Sequence, residues 1–315
     1  MRLNSFHPDV RQLLLSMGSN KVLTGDIQWV SLRTTNAYEW LRSRVPTAQL
    51  HQDLNSAIGA CVANRGDLIV VAPGHYEDIG DTSSSGEIDL DVAGITVVGL
   101  GRGTDTPRFD FNHADADFII GAANVTVENI RFEATVTGVK IGISVEAAGT
   151  NFVIRNCRFA VETTTTDEFL YAIAIAAAAN NGLIEGCYID QGLGGAIGAI
   201  HLNDASANHR ILNNTILGDY STACIVGSTA ASLLLEIGKN RLCNGDGSNL
   251  GTEPCIELNG NSTGVIYDNY CVCNLATKAA AIVAAQCLLF QNYYNEDISG
   301  VGTGGLIGTA SADDL

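Results

Sequence analysis

The side chains of this chain best spaced to do chemistry are carboxylates. Asp78, Asp81, Glu87, Asp89 and Asp91 crowd a stretch around the Ser-Ser-Ser-Gly run at 83–86, and Asp105, Asp110, Asp115 and Asp117 follow. Two carboxylates facing one groove would serve acid–base cleavage of a sugar chain. An acidic calcium site beside an Arg or Lys base would serve a lyase. Glu162, Asp167 and Glu168 flank a four-threonine run, but no Arg or Lys joins them in sequence. His201 and His209 stand singly and read as ordinary strand residues. Carbohydrate grooves also use aromatic platforms, and both tryptophans, Trp29 and Trp40, precede the repeat described below. The acidic groups therefore read as solvated loops. No catalytic residue, metal ligand or cofactor is assigned.

Nine cysteines form the second reactive set: Cys61, Cys157, Cys187, Cys224, Cys243, Cys255, Cys271, Cys273 and Cys287. In an unsecreted chain they read as small buried hydrophobes. Cys271 and Cys273, one residue apart in a strand, should point to opposite faces, which argues against a shared zinc ion.

What must position these groups is an internal repeat. A pattern of apolar, any, Asn-like, any, any, apolar recurs at Val127, Ile154, Ile184, Ile211, Ile237, Ile266 and Leu289, with starts 27, 30, 27, 26, 29 and 23 residues apart. Two earlier coils fit at Asp67–Gly74 and Gly94–Gly101, and each later period carries a second strand-like run such as Val139–Val145. This period with strand-like content predicts an all-β fold, a right-handed parallel β-helix of about nine coils spanning residues 66–297. Small residues suit its narrow interior. The Asn ladder (Asn129, Asn156, Asn213, Asn240, Asn269, Asn292) should line the turns, because Asn tolerates left-handed backbone. The ladder slips from the third to the fourth pattern position after Ile211, where Asn214 joins Asn213. The register places Cys157 over Cys187 and Cys224 over Cys255. One strand spacing, roughly 4.8 Å, lies within the range of about 4.4–6.8 Å that a disulfide tolerates. These pairs are either inter-coil disulfides or a stack of buried thiols.

Outside the repeat, residues 47–65 predict an amphipathic N-terminal capping helix over Ala48–Asn64, with Thr47 as N-cap and Leu50, Leu54, Ile58, Cys61 and Val62 on its apolar face. Residues 1–46 read as an attachment segment. Trp29, Arg33, Tyr38, Trp40, Arg42 and Arg44 concentrate there, and these residue types are enriched in binding hot spots; the alternative is that they pack the cap. The Gly-rich residues 298–315 read as a tail or a strand exchanged with a partner.

A net charge of −17 argues against a nucleic-acid surface, which relies on Lys and Arg. No apolar run approaches the roughly 18 residues of a membrane span, and the N-terminus lacks a signal-peptide pattern.

The run RGDLIVVAPGHYEDI, then IDLDVAGITVVGLGRGTDTPRF and ANVTVENIRF, resembles the β-helix proteins among the structural genes of tailed bacteriophages, and more broadly the pectate-lyase-like superfamily. The phage-type resemblance covers about residues 48–159. It implies a homotrimeric virion component, located on the capsid surface and in the host cytoplasm during assembly. The chain lacks the calcium-site Asp set and catalytic Arg motif of pectate lyases. The expected function is thus a non-enzymatic capsid decoration protein bound to the major capsid protein. The alternative is a tailspike or fibre that binds or depolymerises host surface polysaccharide.

Overall fold

Short runs of β-branched and aromatic residues with alternating small or polar neighbours favour pleated strands buried on one side. In the computed structural model these runs form three parallel sheets wound into a β-solenoid of about eight turns. The structure describes residues 25–80, 87–161, 167–191, 195–227, 229–245, 251–275, 278–295 and 305–306. Each turn passes from sheet A to sheet B to sheet C and returns to A one level on.

Successive turns stack in direct register. Val97, Val127, Ile154, Ile184, Ile211, Ile237 and Ile266 form the inward column of sheet A. Phe109, Phe132, Phe159, Ile189, Ile216, Leu242, Cys271 and Tyr294 form that of sheet B. The recurring hexapeptide is therefore two short strands rather than one: Thr126–Glu128 lies in sheet A and Arg131–Ala134 in sheet B, joined at a bend by Asn129. The second strand-like run is sheet C.

Three expectations change. Eight turns are complete; the ninth has strands Gln286–Phe290 and Tyr293–Asn295, with no third strand among the described residues. Gly305–Leu306 instead returns antiparallel to Tyr293–Tyr294. The remaining tail residues, 298–304 and 307–315, lie outside the described residues.

The stack also begins before Gly66, because Ile27–Val30 pairs in parallel with Leu68–Val71 and, on its other edge, with Leu50–His51. Strand alternation sends Val30 into the solenoid and Trp29 outward, where Trp29 packs with Leu41, Val45, Leu68, Val70 and Val98. Leu41 belongs to helix α1, Asn36–Arg42. Residues 1–24, including Arg11, lie outside the described residues.

The long capping helix is reduced to α2, Leu54–Gly59, whose Leu54, Ala57 and Ile58 join the interior core. Its N-cap is Asp53, which accepts from Ser56 N–H at 2.7 Å and from the Ser56 hydroxyl at 2.9 Å. That cap starts the helix late, and the strand pairing of Leu50–His51 takes the preceding residues. A buried carboxylate fastens this end: Asp67 accepts from the backbone N–H groups of Asp26 and Val62 and from two guanidinium nitrogens of Arg65, all at 2.7 Å. Burial would raise its pKa, but the Arg65 and backbone hydrogen bonds outweigh it and hold the carboxyl below the usual range.

Candidate functional site

Groups able to do chemistry converge on the outer face of sheet B, over its first five strands. Tyr76, Arg108, Arg131, Arg158 and Tyr188 stand in one outward row, and Asp78, Asp110, Glu133, Ala160 and Asp190 in the next. Stacked like charges repel, so the arginines are stable only because carboxylates interleave. Arg108 contacts Asp110 at 2.9 Å and Glu133 at 3.4 Å; Arg131 contacts Glu133 at 2.8 Å. Both carboxylates are buried. The Arg108 guanidinium lies 4.9 Å above the Tyr76 ring, and the Tyr76 hydroxyl donates to Asp78. That bond, with burial, pushes the Tyr76 hydroxyl up to about 12. Arg158 meets Ala160 where its neighbours meet carboxylates, and lies 5.3 Å from the Tyr188 ring, whose hydroxyl bonds Asp190 at 3.3 Å. The strip can hold an anionic or hydroxyl-rich ligand along its axis. Its carboxylates are committed to arginines and tyrosines, which suits them to structure better than to proton transfer.

Sequence spacing missed this strip. The signal was present in the dipeptides Arg-Phe and Tyr-Ile, where the outward residue precedes the inward one.

The two acidic groups are regrouped. Asp78 and Asp110 join the strip, whereas Glu87, Asp89, Asp91, Asp115, Asp117 and Glu146 influence one another on the side of sheet C. Burial, then Asp91 and Glu146, raises the pKa of Asp89; burial, then Glu87 and Asp115, raises that of Asp117. Lys140 pairs with Asp115 at 2.5 Å. Asp81 and Glu162 lie outside the described residues. Glu168 is buried, which raises its pKa with help from Asp167, and its Oε2 has no partner. His201 stacks on Tyr171 at 4.2 Å. His209 is interior: its Nδ1 accepts from Gly182 N–H at 3.2 Å, Nε2 is unpartnered, and burial pushes it down to about 4. Among the described residues no three His, Cys, Asp or Glu side chains are grouped to hold a metal ion.

All nine cysteines are free thiols. Cys157 and Cys187 stack as the register predicts, and so do Cys224 and Cys255. Burial, then the neighbouring thiol, raises the Cys157 and Cys224 thiols well above the ordinary value. Cys271 and Cys273 do not diverge: both are buried in the solenoid core beside Cys255 and perturb its thiol, because Cys273 lies past the end of its strand.

The Asn ladder separates into two columns. Asn129, Asn156 and Asn213 take the left-handed backbone conformation of the bend, a column continued by Lys239, Asp268 and Gln291. Asn240, Asn269 and Asn292 stand one position later and are buried with Asn214. Their amides chain across turns, with Nδ2-to-Oδ1 distances of 3.1 Å from Asn214 to Asn240, then 2.9 Å and 2.9 Å. The same Oδ1 atoms accept backbone N–H groups from the preceding turn at 2.9–3.1 Å.

Of the attachment residues, Trp29 is buried and cannot meet a partner. Tyr38 is half-buried, whereas Arg33, Trp40, Arg42 and Arg44 are exposed. Arg44 lies 4.7 Å from the Trp40 ring. Among the described residues the exposed large hydrophobics are Trp40, Val62 and Tyr76 at one end, and Leu233, Leu234, Val265, Tyr270, Val283, Leu288, Phe290 and Tyr293 at the other. No described helix is long and apolar enough to cross a membrane. No family of known proteins and no curated protein matches the chain.

Proposed function

We propose that this chain is a non-enzymatic structural protein of a phage virion, a homotrimeric decoration of the capsid bound to the major capsid protein. One observation carries the reading: exposed large apolar side chains are confined to the two ends of the solenoid, with none between residues 77 and 232 among the described residues. That is the surface of a connecting rod. Its shaft is polar, and the carboxylates of its one chemically dense strip are held by neighbours. At the first end Trp40, Arg42, Arg44 and Arg33 form the attachment surface, since aromatic and Arg side chains dominate the energetics of protein interfaces.

Immunogold labelling of purified particles tests this, with label expected over the capsid shell. Label confined to the tail would overturn it. The Tyr76–Tyr188 strip favours a second reading, a tailspike that binds host polysaccharide. Release of reducing ends or unsaturated sugars from host polysaccharide would establish that one instead.

A further inference from the structure

The chain contains three Asn–Gly pairs, Asn181–Gly182, Asn244–Gly245 and Asn259–Gly260. An Asn followed by Gly is prone to lose its side-chain amide, because the Gly nitrogen can close on the Asn Cγ with no side chain in its way. Closure needs that nitrogen stripped of its proton and turned onto Cγ. A Gly N–H bound into the fold is therefore held back, and the solenoid treats the three pairs differently.

In the first pair the Gly182 N–H donates to His209 Nδ1 at 3.2 Å, and the Asn181 amide donates to Asn151 Oδ1 at 3.0 Å. Gly182 also lies so close to the Phe152 ring that a Cβ there would overlap it. In the second pair the Gly245 N–H donates to the Gly218 carbonyl at 2.7 Å. The buried Asn244 amide is fixed at both ends. Its Nδ2 donates to the carbonyls of Glu253 and Pro254 at 3.3 and 3.1 Å, and its Oδ1 accepts the Tyr220 N–H at 2.9 Å.

The third pair stands at the turn between strands Ile256–Leu258 and Thr263–Tyr267. Gly260 is exposed, its N–H donates to no group among the described residues, and a Cβ on it would meet nothing within 4 Å. The Asn261 N–H donates to Asn259 Oδ1 at 3.0 Å. A donor at that oxygen makes Cγ more electrophilic and stabilises the negative charge that Oδ1 takes up as the nitrogen adds. Turning the Asn259–Gly260 peptide loosens the bond from Ser262 N–H to the Asn259 carbonyl, at 2.8 Å. The Asn244 pair would instead have to break bonds at the nucleophile and at both atoms of the amide.

We propose that Asn259 is a site of spontaneous modification, at which the folded chain converts asparagine to isoaspartate and aspartate. Hydroxide takes the proton from the Gly260 nitrogen, which bonds to Asn259 Cγ. The Cγ–Nδ2 bond then breaks, and ammonia leaves with a proton from water. Water opens the resulting succinimide. Attack at Cγ restores the main chain with an aspartate side chain; attack at the backbone carbonyl carbon leaves the chain running through Cβ and Cγ as isoaspartate. The sum is water in and ammonia out, with no change of oxidation state and one negative charge gained. Isoaspartate lengthens the connection between the two strands by a methylene. The proposal is independent of any role in a virion.

Peptide mapping of the full chain, aged in warm, mildly alkaline buffer, tests it by the mass gain of amide-to-acid exchange and by fragmentation that separates the two products. Conversion at Asn259 should outpace that at Asn181 and Asn244 by roughly 100-fold, the cost of freeing groups already bonded in the fold. In urea all three should convert at similar rates. Gly260→Ala, for which the turn has room, should slow Asn259 roughly tenfold while leaving the urea unfolding midpoint in place. No conversion at Asn259 in the folded chain, conversion at Asn181 or Asn244 as fast, or an unchanged rate in the Gly260→Ala variant overturns the proposal.

Discussion

One corner recurs in seven turns, and the two halves of the solenoid fill it differently. In the first half it holds Ile130, Cys157 and Cys187; in the second it holds Asn214, Asn240, Asn269 and Asn292. The carbonyl facing it belongs to the preceding turn. Cys157 and Cys187 approach those of Val127 and Ile154 at 3.8 Å, whereas Asn214, Asn240, Asn269 and Asn292 donate to those of Ile184, Ile211, Ile237 and Ile266 at 2.8–3.1 Å. A thiol is a weak donor and an amide a strong one. The thiols thus do faintly what the amides do fully, and in the first half packing takes the larger share. There Phe132 stacks on Phe159 at 5.0 Å and meets Phe118 edge-on at 5.0 Å, with Phe109 and Phe111 at 6.2 and 6.3 Å. The second half places Ile216, Leu242 and Cys271 in that column. One backbone is held by dispersion and area at one end and by a buried hydrogen-bond chain at the other.

The contrast can be broken first at the amides. Asn240→Leu strands the Asn214 N–H, leaves the Asn214 side-chain amide only its bond to the Ile184 carbonyl, removes the donor to the Ile211 carbonyl and takes one of two donors from the Asn269 Oδ1, so a loss of about 4 kcal/mol is expected in urea unfolding. A loss under about 1 kcal/mol would mean that the ladder is incidental. Phe132→Ala removes the hub of the aromatic half and should cost about 4 kcal/mol. If the halves unfold separately, hydrogen exchange should show each substitution loosening mainly its own half.

His209 sits among the amide-bearing turns and is buried neutral. Its folded-state pKa of about 4 lies below the ordinary histidine value of 6.5, so the folded state resists protonation. Stability should fall as pH drops from about 6.5 and level off near 4, with a total of about 3 kcal/mol. His209→Gln keeps an acceptor for Gly182 N–H and should remove that part of the acid sensitivity; an unchanged pH profile would exclude His209 as its source. The smallest effect sharpens the comparison most. Cys187→Asn should lengthen the amide chain by one turn and change stability by less than about 1 kcal/mol, whereas Ile130→Asn, set in the aromatic half, should destabilise.

The local pattern made the repeat, its period and the stacking of Cys157 on Cys187 legible, because strand alternation and turn chemistry act over a few residues. The slip at Asn213 and Asn214 was legible too, but its meaning was not: an Asn that bends the chain and an Asn that bonds its counterpart in the next turn look alike in sequence. The strip of Arg108, Arg131 and Arg158 was spelled out in Arg-Phe pairs, yet its pairing with Asp110 and Glu133 depends on which turns adjoin.

By itself the sequence determined a β-solenoid and the residues that line its interior, since apolar periodicity alone dictates which side of each strand is buried. Only the tertiary structure decided that Trp29 is buried, that Cys271 and Cys273 both point inward, that the acidic residues divide between two faces, and that exposed apolar surface is confined to the ends. Each depends on neighbours one turn away, some 23–30 residues along the chain, and on where strands stop, which local periodicity does not encode.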